Sequence, residues 1–426
     1  MRRFRFSEPG FEAAFAAFVE ERRETPDDVD ALVRDILAAV RAEGLEAVLR
    51  FGRQFDRANV SAENIRVTPE EIEAGAAQCA PEVREAIAFA AKRIRTYHER
   101  QRPADQWFTD EAGVELGWRW TPLEAVGIYV PGGRAAYPST VLMNAVPAAA
   151  AGVERIAMVT PPGRLQPAVL AAAKEAGVTE IWRVGGAQAV GALAYGAGPI
   201  LPVDKIVGPG NAFVTAAKRR VYGTVGIDAL AGPSEIVVVS DAASRPDWIA
   251  ADLLSQAEHD PAAQSILITD DEAFADAVEA QIALQLGSLE TRDDATVSLR
   301  NHGAVIIAPL SEAPGLVNMI APEHVEFALD EPERLADQVR HAGAIFLGRH
   351  APEAVGDYVA GSNHVLPTSR AARFSSGLSL YDFIKRTSIV KSDEAAFAIL
   401  GPPTVALADD EGLPAHARSA AIRLGQ

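Results

Sequence analysis

The sequence has a single cysteine, Cys79, among its 426 residues. One cysteine cannot form an internal disulfide, a thiolate zinc cluster or a Cys-x-x-Cys redox pair. A metal ion bound by this chain must therefore have nitrogen and oxygen ligands. Histidines are also few, and the candidate nitrogen ligands are limited to eight: His98, His259, His302, His324, His341, His350, His364 and His416.

The sequence also lacks a long apolar run and an excess of basic residues. It contains no stretch of about 18 consecutive apolar residues, and its first residues, Met1-Arg2-Arg3-Phe4-Arg5-Phe6, lack the apolar segment of a signal peptide. The formal net charge of −18 disfavours electrostatic binding to nucleic acid or to an anionic membrane. We therefore expect a cytoplasmic protein with neither a nucleic-acid nor a membrane partner.

A hydrophobic content of 48% is enough for a large core, and the length suits several domains of about 100–200 residues each. Residues 1–24 are predicted to form an N-terminal helical arm, because Phe11 to Val19 have a short helical pattern. A helical layer follows from residue 25 to about residue 105. Two of its helices are predicted to begin at Thr25-Pro26-Asp27-Asp28 and Thr68-Pro69-Glu70-Glu71. In each, a threonine hydroxyl caps the helix and is followed by proline and two acids. A third helix is predicted to begin at Pro81.

From Val126 onwards, short apolar segments alternate with glycine-rich turns and amphipathic helices. This pattern is typical of parallel sheets covered by helices. The predicted strands are Val126–Val130, Arg155–Thr160, Glu180–Val184, Asp204–Val207, Glu235–Ser240, Ser265–Thr269, Ala304–Ala308 and Ala344–Leu347. These strands are too many for one simple unit and favour two α/β lobes.

The predicted fold class is therefore α/β, with two Rossmann-like lobes of parallel-type sheets and flanking helices, an N-terminal helical layer and a C-terminal helical tail. We expect the main lobe, with most of the metal and catalytic residues, to comprise residues 25–127 and 235–378. The second lobe, with the nucleotide-binding strand ends, is expected at residues 128–234. Residues 379–426 are expected to form the tail.

Three predicted strands end in glycine-rich turns that lead into helices. These turns are Pro131-Gly132-Gly133, Gly185-Gly186-Ala187-Gln188 and Gly208-Pro209-Gly210-Asn211. Ligands of open α/β sheets bind at the carboxyl ends of strands, where helix N-termini attract phosphate groups. The turns therefore favour a dinucleotide site. The alternative is that the glycines only form tight turns, since Phe213 stands where a G-x-G-x-x-G motif would have its third glycine.

The polar end of one amphipathic helix, around residues 252–260, is the strongest candidate for metal binding. Gln256 and His259 are three residues apart, so both project from one helix face and one cation could contact both. A solvated helix end is the alternative. With Asp357 and His416 they supply the four nitrogen or oxygen donors that zinc needs without thiolates. The adjacent Glu323 and His324 suit removal of the hydroxyl proton that must accompany hydride transfer.

These clusters belong to a series of motifs that resembles histidinol dehydrogenase from about residue 25 to the C-terminus. The motifs are Gly127-Ile128-Tyr129-Val130-Pro131-Gly132-Gly133, Gly208-Pro209-Gly210-Asn211, Ala231-Gly232-Pro233-Ser234-Glu235, Ser255-Gln256-Ala257-Glu258-His259, Pro322-Glu323-His324, Gly361-Ser362-Asn363-His364-Val365-Leu366-Pro367-Thr368 and Glu411-Gly412-Leu413-Pro414-Ala415-His416. The resemblance implies oxidation of L-histidinol, through the aldehyde, to L-histidine with two NAD and one zinc ion per site. It also implies a homodimer.

The resemblance also implies a role for individual residues, and this sequence departs from the family pattern at none of them. The implied zinc ligands are Gln256, His259, Asp357 and His416, and the implied acid–base pair is Glu323 and His324. The implied substrate contacts are Ser234, Gln256, His259, His324, Asp357, Glu411 and His416, and the implied NAD contacts are Tyr129, Gln188 and Asn211. In the family the tail reaches the partner's site, so Glu411 and His416 are expected to act in the other subunit.

Three other functions are compatible with parts of this pattern. A related zinc and NAD dehydrogenase could oxidise another small polar alcohol, such as a sulfonated diol. Glu411 disfavours that substrate, because a carboxylate attracts a cationic amine and repels a sulfonate. A zinc hydrolase would use Glu323 to activate metal-bound water, and a scaffold protein would have no catalytic activity.

Overall fold

The computed structural model describes residues 1–21, 27–56, 59–132 and 137–426. Thr25 and Pro26 of the predicted helix start, the end of the predicted N-terminal arm and Gly133 of the first glycine motif lie outside these ranges. The described strands are β1 (Arg2–Arg5), β2 (Arg66–Val67), β3 (Gln106–Thr109), β4 (Glu115–Pro122), β5 (Ala125–Tyr129), β6 (Arg155–Thr160), β7 (Glu180–Arg183), β8 (Lys205–Val207), β9 (Gly226–Ile227), β10 (Glu235–Ser240), β11 (Gln264–Thr269), β12 (Ala304–Ile307), β13 (His324–Ala328), β14 (Ala344–Leu347) and β15 (Ile384–Lys391).

Helices account for most of the remaining described chain. They are α1 (Phe11–Glu20), α2 (Asp27–Glu43), α3 (Leu45–Phe51), α4 (Pro69–Ala77), α5 (Pro81–Glu99), α6 (Pro138–Ala151), α7 (Pro167–Ala176), α8 (Gly186–Tyr195), α9 (Ala212–Val221), α10 (Pro246–Ala257), α11 (Glu272–Leu286), α12 (Arg292–Asn301), α13 (Ala313–Ile320), α14 (Glu333–Ala336), α15 (Glu353–Tyr358), α16 (Glu394–Asp410) and α17 (Pro414–Ala421). Within the described ranges, no helix is both long enough and apolar enough to cross a lipid bilayer.

The first large sheet contains six parallel strands in the order β1-β12-β11-β10-β13-β14. Helices α10, α11 and α12 cover one face, and α1 and α13 cover the other. Strand β10 is buried along its whole length, as expected for a parallel strand with helices on both sides. The N-terminal arm contains helix α1 but begins with β1, which pairs with β12 at the sheet edge and was not predicted.

The second large sheet has the order β2-β7-β6-β5-β8-β9, and only β2 runs antiparallel to its neighbour. Helices α4, α5, α6 and α7 cover one face, and α2, α3, α8 and α9 cover the other. The predicted α/β class with two parallel-type sheets is confirmed, and each of the eight predicted strands is present with its ends shifted by no more than one residue.

Helices α2 to α5 pack on the second sheet, whereas the sequence grouped residues 25–127 with the main lobe. The apolar faces of these helices complete the cores on both sides of β5, β6 and β7. A helical pattern in sequence shows which side is apolar but not which sheet will cover it. The predicted grouping of residues 25–127 with the main lobe differs from this packing. The other domain boundaries drawn from the sequence stay predictions.

A third, antiparallel sheet joins β3, β4 and β15, and β15 pairs with β4 along its full length. This strand connects the body to the tail, in which α16 and α17 pack against each other as the predicted helical tail requires. The tail exposes large apolar side chains, among them Ile399, Leu407 and Ile422, each more than half exposed. Exposed apolar side chains of this size are a feature of many protein–protein interaction surfaces.

Candidate active site

A cleft of about 540 Å³ lies at the carboxyl edge of the second sheet. Its wall is formed by the segments that follow β5, β6, β7 and β8, which are the turns singled out for their glycines together with Pro161, Pro162 and Gly163. Tyr129, Gln188 and Asn211 all line it, so the structure brings the three candidate cofactor residues together. Its position agrees with the rule that open α/β sheets bind ligands at the carboxyl ends of their strands.

The cleft residues are held in place by hydrogen bonds to the backbone. The Tyr129 hydroxyl accepts a hydrogen bond of 3.0 Å from the Gly186 N–H, and burial raises the pKa of Tyr129 to about 12, so this phenol stays neutral. The Asn211 side chain caps α9 by accepting the Val214 N–H. Among the described atoms, the buried amide nitrogen of Gln188 has no hydrogen-bond acceptor. A polar ligand bound in the cleft would satisfy this donor.

The predicted acid–base pair lies on the first sheet, at the amino ends of two adjacent strands. His324 is the first residue of β13, Glu323 precedes it, and both lie beside Glu235 at the start of β10. The two acids hold one another through the backbone, because Glu235 N–H donates to the Glu323 carboxylate at 3.0 Å and Glu323 N–H donates to that of Glu235 at 3.3 Å. This centre therefore lies at amino ends of strands, whereas the cleft of the second sheet lies at carboxyl ends.

The hydrogen bonds of His324 define its chemistry. Its Nδ1 lies 3.0 Å from the Glu235 carbonyl oxygen, which can only accept, so Nδ1 carries the proton and Nε2 has the free electron pair. Burial lowers the pKa of His324, so the ring is neutral near pH 7. Nε2 lies 3.7 Å from Asp357 Oδ1 and 3.8 Å from Glu353 Oε1. The neutral ring of His324 therefore turns its free electron pair towards two carboxylates, those of Asp357 and Glu353.

Three of the four predicted metal ligands lie in the same lobe as His324. Gln256 is the next-to-last residue of α10 and is buried, and the His259 N–H donates to the Gln256 carbonyl, which continues the last turn. His259 follows the helix, and its side chain is exposed. Asp357 completes the set from helix α15.

His416 is not among these residues, because it lies on α17 in the tail, and Glu411 follows the end of α16. Both side chains are exposed. In the parts of the chain that the structure describes, the one group of metal-capable acids and histidines consists of His324, Glu353 and Asp357, and it includes neither tail residue. A single chain therefore does not bring the full predicted zinc set together.

Three acids around this centre were not among the predicted site residues: Glu353 and Glu326 are buried, and Asp252 is half-buried. Glu353 precedes Asp357 by four residues on α15, and Asp252 precedes Gln256 by four on α10, so each shares a helix face with a predicted ligand. Glu326 is two residues beyond His324 on β13. The spacing of four from each predicted ligand was the signal available in the sequence.

These acids test whether a cation fits the centre. Burial raises the pKa of Asp357, and the neighbouring Glu353 raises it further. Burial also raises the pKa of Glu326, with the Asp252 charge as the next cause. Among described atoms, Gln256 Oε1, Glu353 Oε1 and His324 Nε2 are buried without hydrogen-bond partners. Clustered carboxylates and unpaired oxygen and nitrogen atoms are what a bound cation would stabilise, so the donor set fits zinc.

Ser234 immediately precedes Glu235, at the end of the segment that runs from the second sheet to the first. The 359–369 segment connects the same two regions. Gly232 N–H donates to the Thr368 hydroxyl at 2.6 Å, and the Asn363 amide donates to the Met143 carbonyl at 2.6 Å. Ser369 N–H also donates to the Glu235 carboxylate at 3.1 Å. Two crossing segments thus link the cleft lobe to the acid–base centre.

Two sheets of mainly parallel strands, a glycine-lined cleft and a buried neutral histidine beside metal-capable carboxylates are features expected of an α/β oxidoreductase. The sequence model of the family "Histidinol dehydrogenase" matches residues 19–424, and the chain belongs to this family of NAD-dependent oxidoreductases, which performs the final steps of histidine biosynthesis.

Individual relatives agree with this assignment. The chain is 78% identical over 424 residues to histidinol dehydrogenase of Caulobacter vibrioides, covering 100% of this chain and 99% of the relative. It is 58% identical over 428 residues to histidinol dehydrogenase of Rhodospirillum rubrum, with the same coverage of 100% and 99%. A crystal structure of histidinol dehydrogenase from Elizabethkingia anophelis has a TM-score of 0.94 and 35% identity, covering 100% of this chain and 98% of that one.

Proposed function

We propose that this enzyme oxidises L-histidinol through the aldehyde to L-histidine, with NAD in the cleft of the second lobe and one zinc ion in the acid-lined centre. The observation that carries the proposal is the position of His324, whose free Nε2 faces Asp357 and Glu353. The strong family match supports the choice of substrate. On the same basis we place the enzyme in the cytoplasm.

Gln256, His259 and Asp357 would hold the zinc, together with His416 from the tail. When bound, zinc would hold the substrate through its imidazole and amine and so orient the reacting carbon. Ser234 and Glu411 would make further substrate contacts. Glu411 adds a negative charge that suits the substrate amine.

Tyr129, Gln188 and Asn211 would hold the NAD. When bound, NAD would accept the hydride in each of the two oxidations. The neutral Tyr129 phenol fixes the Gly186 turn, and Gln188 offers its unpaired amide donor, so these residues shape the cleft rather than take part in proton transfer.

His324 and Glu323 would divide the proton transfers between them. His324 Nε2 would accept the hydroxyl proton of the alcohol, since it is neutral and its ring is fixed by the Glu235 carbonyl. The aldehyde must add water before a second hydride can leave. Burial, with the Glu235 charge second, raises the pKa of Glu323 well above its ordinary value, so its carboxylate is a stronger base for that water.

The division predicts different losses for two conservative variants. We expect His324→Asn to slow both oxidations by about 10²–10⁴-fold, the range typical of general acid–base catalysis. Glu323→Gln should chiefly slow the oxidation of histidinal, since only that half-reaction needs activated water. Single-turnover rates with histidinol and with histidinal measure the two steps separately. Equal losses for both substrates in the Glu323 variant would show that the division is wrong.

The tail supports a homodimer with shared active sites. Its apolar side chains are exposed in a single chain. The group of metal-capable side chains at His324, within the described residues, does not include the tail residues Glu411 and His416. In a two-fold dimer, the same surface serves both subunits. We therefore infer that each centre takes Glu411 and His416 from the tail of the other subunit.

The proposed reaction predicts the appearance of NADH absorbance when zinc-loaded enzyme is mixed with L-histidinol and NAD. Two NADH should form per histidinol, and a chelator should abolish the signal. A sulfonated diol oxidised more efficiently than histidinol would instead identify the related alcohol dehydrogenase. A hydrolytic product that forms without NAD would identify a zinc hydrolase, and no turnover of any substrate would indicate a scaffold.

A further inference from the structure

A buried ion pair lies behind the cleft, and neither of its residues is among those that line it. Lys218 on α9 is paired with Asp228, which follows β9, and the side chains are only 3% and 5% exposed. Burial of two charges costs free energy that their attraction does not always recover, so such a pair is weak evidence for stability. The backbone groups to which the two side chains are hydrogen-bonded therefore give a better explanation of the pair than stability does.

Both partners bind the peptide groups of Gly208, the residue that follows β8 and begins the 208–211 turn. The Gly208 N–H donates to Asp228 Oδ2 at 2.7 Å, and Lys218 Nζ donates to the Gly208 carbonyl oxygen at 2.9 Å. The ion pair closes this arrangement into a ring. Hydrogen bonds to charged groups are stronger than neutral ones, so the orientation of this residue is firmly fixed.

The position of Gly208 makes that orientation consequential for the cleft. Its φ of 113° suits glycine, and a Cβ placed there would lie 2.4 Å from the carbonyl oxygen of Tyr129. The turn therefore packs directly on the backbone of Tyr129, one of the residues proposed to contact NAD. Its last residue, Asn211, is another such candidate and caps the helix on which Lys218 lies.

The Lys218–Asp228 pair also lies beside the 228–234 segment, which leads from the second sheet to the acid–base centre. Asp228 lies at the start of that segment, since Asp228 N–H donates to Ile206 O on β8 and Ser234 is six residues further along. Thr215, one turn before Lys218 on α9, donates to the Ala231 carbonyl at 3.2 Å. A change at the pair would thus move the cofactor turn relative to the substrate residues.

We propose that Lys218 and Asp228 are positioning residues for the cofactor, which hold the Gly208 peptide and so keep the 208–211 turn in the shape that binds NAD. The proposal rests on the proposed NAD site in this cleft. It assigns no contact between either side chain and the cofactor. The expected defect is therefore in nucleotide affinity and not in zinc binding or in proton transfer.

The experiment compares Lys218→Met, Asp228→Asn and the double variant with the zinc-loaded wild-type protein. The dissociation constant for NADH is measured by fluorescence titration, and KM is measured for NAD and for histidinol. We expect each single variant to bind NADH about tenfold more weakly or worse. The KM for histidinol and the zinc content should stay near their wild-type values, a separation that a general loss of stability would not produce.

Lys205→Met is the matched control, because Lys205 begins the same strand that Gly208 follows. Lys205 also binds an aspartate, Asp382, and a backbone carbonyl, both at 2.9 Å, but at the opposite end of β8. The control should lose thermal stability without losing NADH affinity. Equal weakening of NADH binding in the control and in the Lys218 variant would overturn the positioning role.

The double variant separates positioning from stability, and it also decides the matter if the single variants do not fold. Removal of both buried charges should recover thermal stability, because no charge is left unpaired. NADH affinity should stay low, because the Gly208 peptide has lost both of its partners. Wild-type affinity in the double variant would overturn the proposal. A wild-type protein that fails to bind NADH would contradict the cofactor site itself and this inference with it.

Discussion

The His259→Ala variant is expected to lose zinc and activity together. Even the loss of an outer-shell partner of a metal typically lowers affinity or activity by about 10–100-fold, so loss of a direct ligand should cost at least that much. Elemental analysis after gel filtration in limiting zinc measures the metal, and NADH formation measures the activity. The two losses should be parallel, because zinc that is not bound cannot orient the substrate.

The local structure explains why His259 should have this effect and why its removal should leave the fold intact. Leu253, Leu254 and Ala257 bury the end of α10 in the first lobe, whereas His259 itself is exposed and follows the helix. Replacement of an exposed side chain removes no core contact, so the fold should be kept. A thermal melt of the metal-free protein checks this point.

His350→Ala is the matched control for that variant. His350 is an exposed histidine of the same lobe, and its ring contacts Trp248 near the start of α10. A control that keeps zinc and activity shows that histidine loss as such does not disturb this helix. If His259→Ala retained full metal content, His259 would not be a zinc ligand.

The buried parallel strands were predictable because their sequences are short apolar runs. Strand β10 illustrates this, with Ile236, Val237, Val238 and Val239 all fully buried. Strand β13 was missed although it lies beside β10, because His324 and Glu326 interrupt its apolar character. Polar residues at the start and centre of a buried strand are unfavourable unless they are paired or functional. The strand that the sequence did not predict is therefore the one that carries His324, the proposed base.

Other features depend on contacts that a linear pattern does not contain. The 25–127 segment shows its helices clearly, but only the folded chain shows that they cover the second sheet. The strands β3 and β15 have side chains that are mostly exposed, so they lack the apolar signal of a buried strand. The contacts of Lys218 and Asp228 with Gly208 are likewise visible only in the folded chain.

The second large effect that we expect is complementation between two inactive variants, one of which is altered in the tail. We expect His259→Ala and His416→Ala proteins to be inactive separately and to recover activity when they exchange subunits. In a mixed dimer, one centre would combine both substitutions and the other would be wild type. Random pairing makes half of the dimers mixed, each with one of two centres intact, so about a quarter of the wild-type activity should return.

The structure supports this expectation through the separation of the ligands. Asp357 Oδ1 lies 3.7 Å from His324 Nε2, and Gln256 and His259 lie at the end of α10 in the same lobe. His416 lies exposed on α17, which packs mainly on α16. The first lobe of one chain therefore carries three of the four proposed ligands, and the tail carries the fourth. A tail that reaches across a two-fold axis would supply the fourth and would also bury its exposed apolar side chains.

Complementation distinguishes a shared site from a site within one chain, because the two arrangements place the substitutions differently. If His416 acted within its own chain, each centre of a mixed dimer would contain exactly one substitution and none would be intact. A mixture of His259→Ala with Asp357→Asn is the control, since both residues belong to the same lobe and no dimer can restore their centre. Mixed dimers verified by mass spectrometry that remain inactive would show that the tail acts within its own chain. Recovered activity in the His416 mixture alone, in proportion to the mixed dimers, would establish that each centre is built from two subunits.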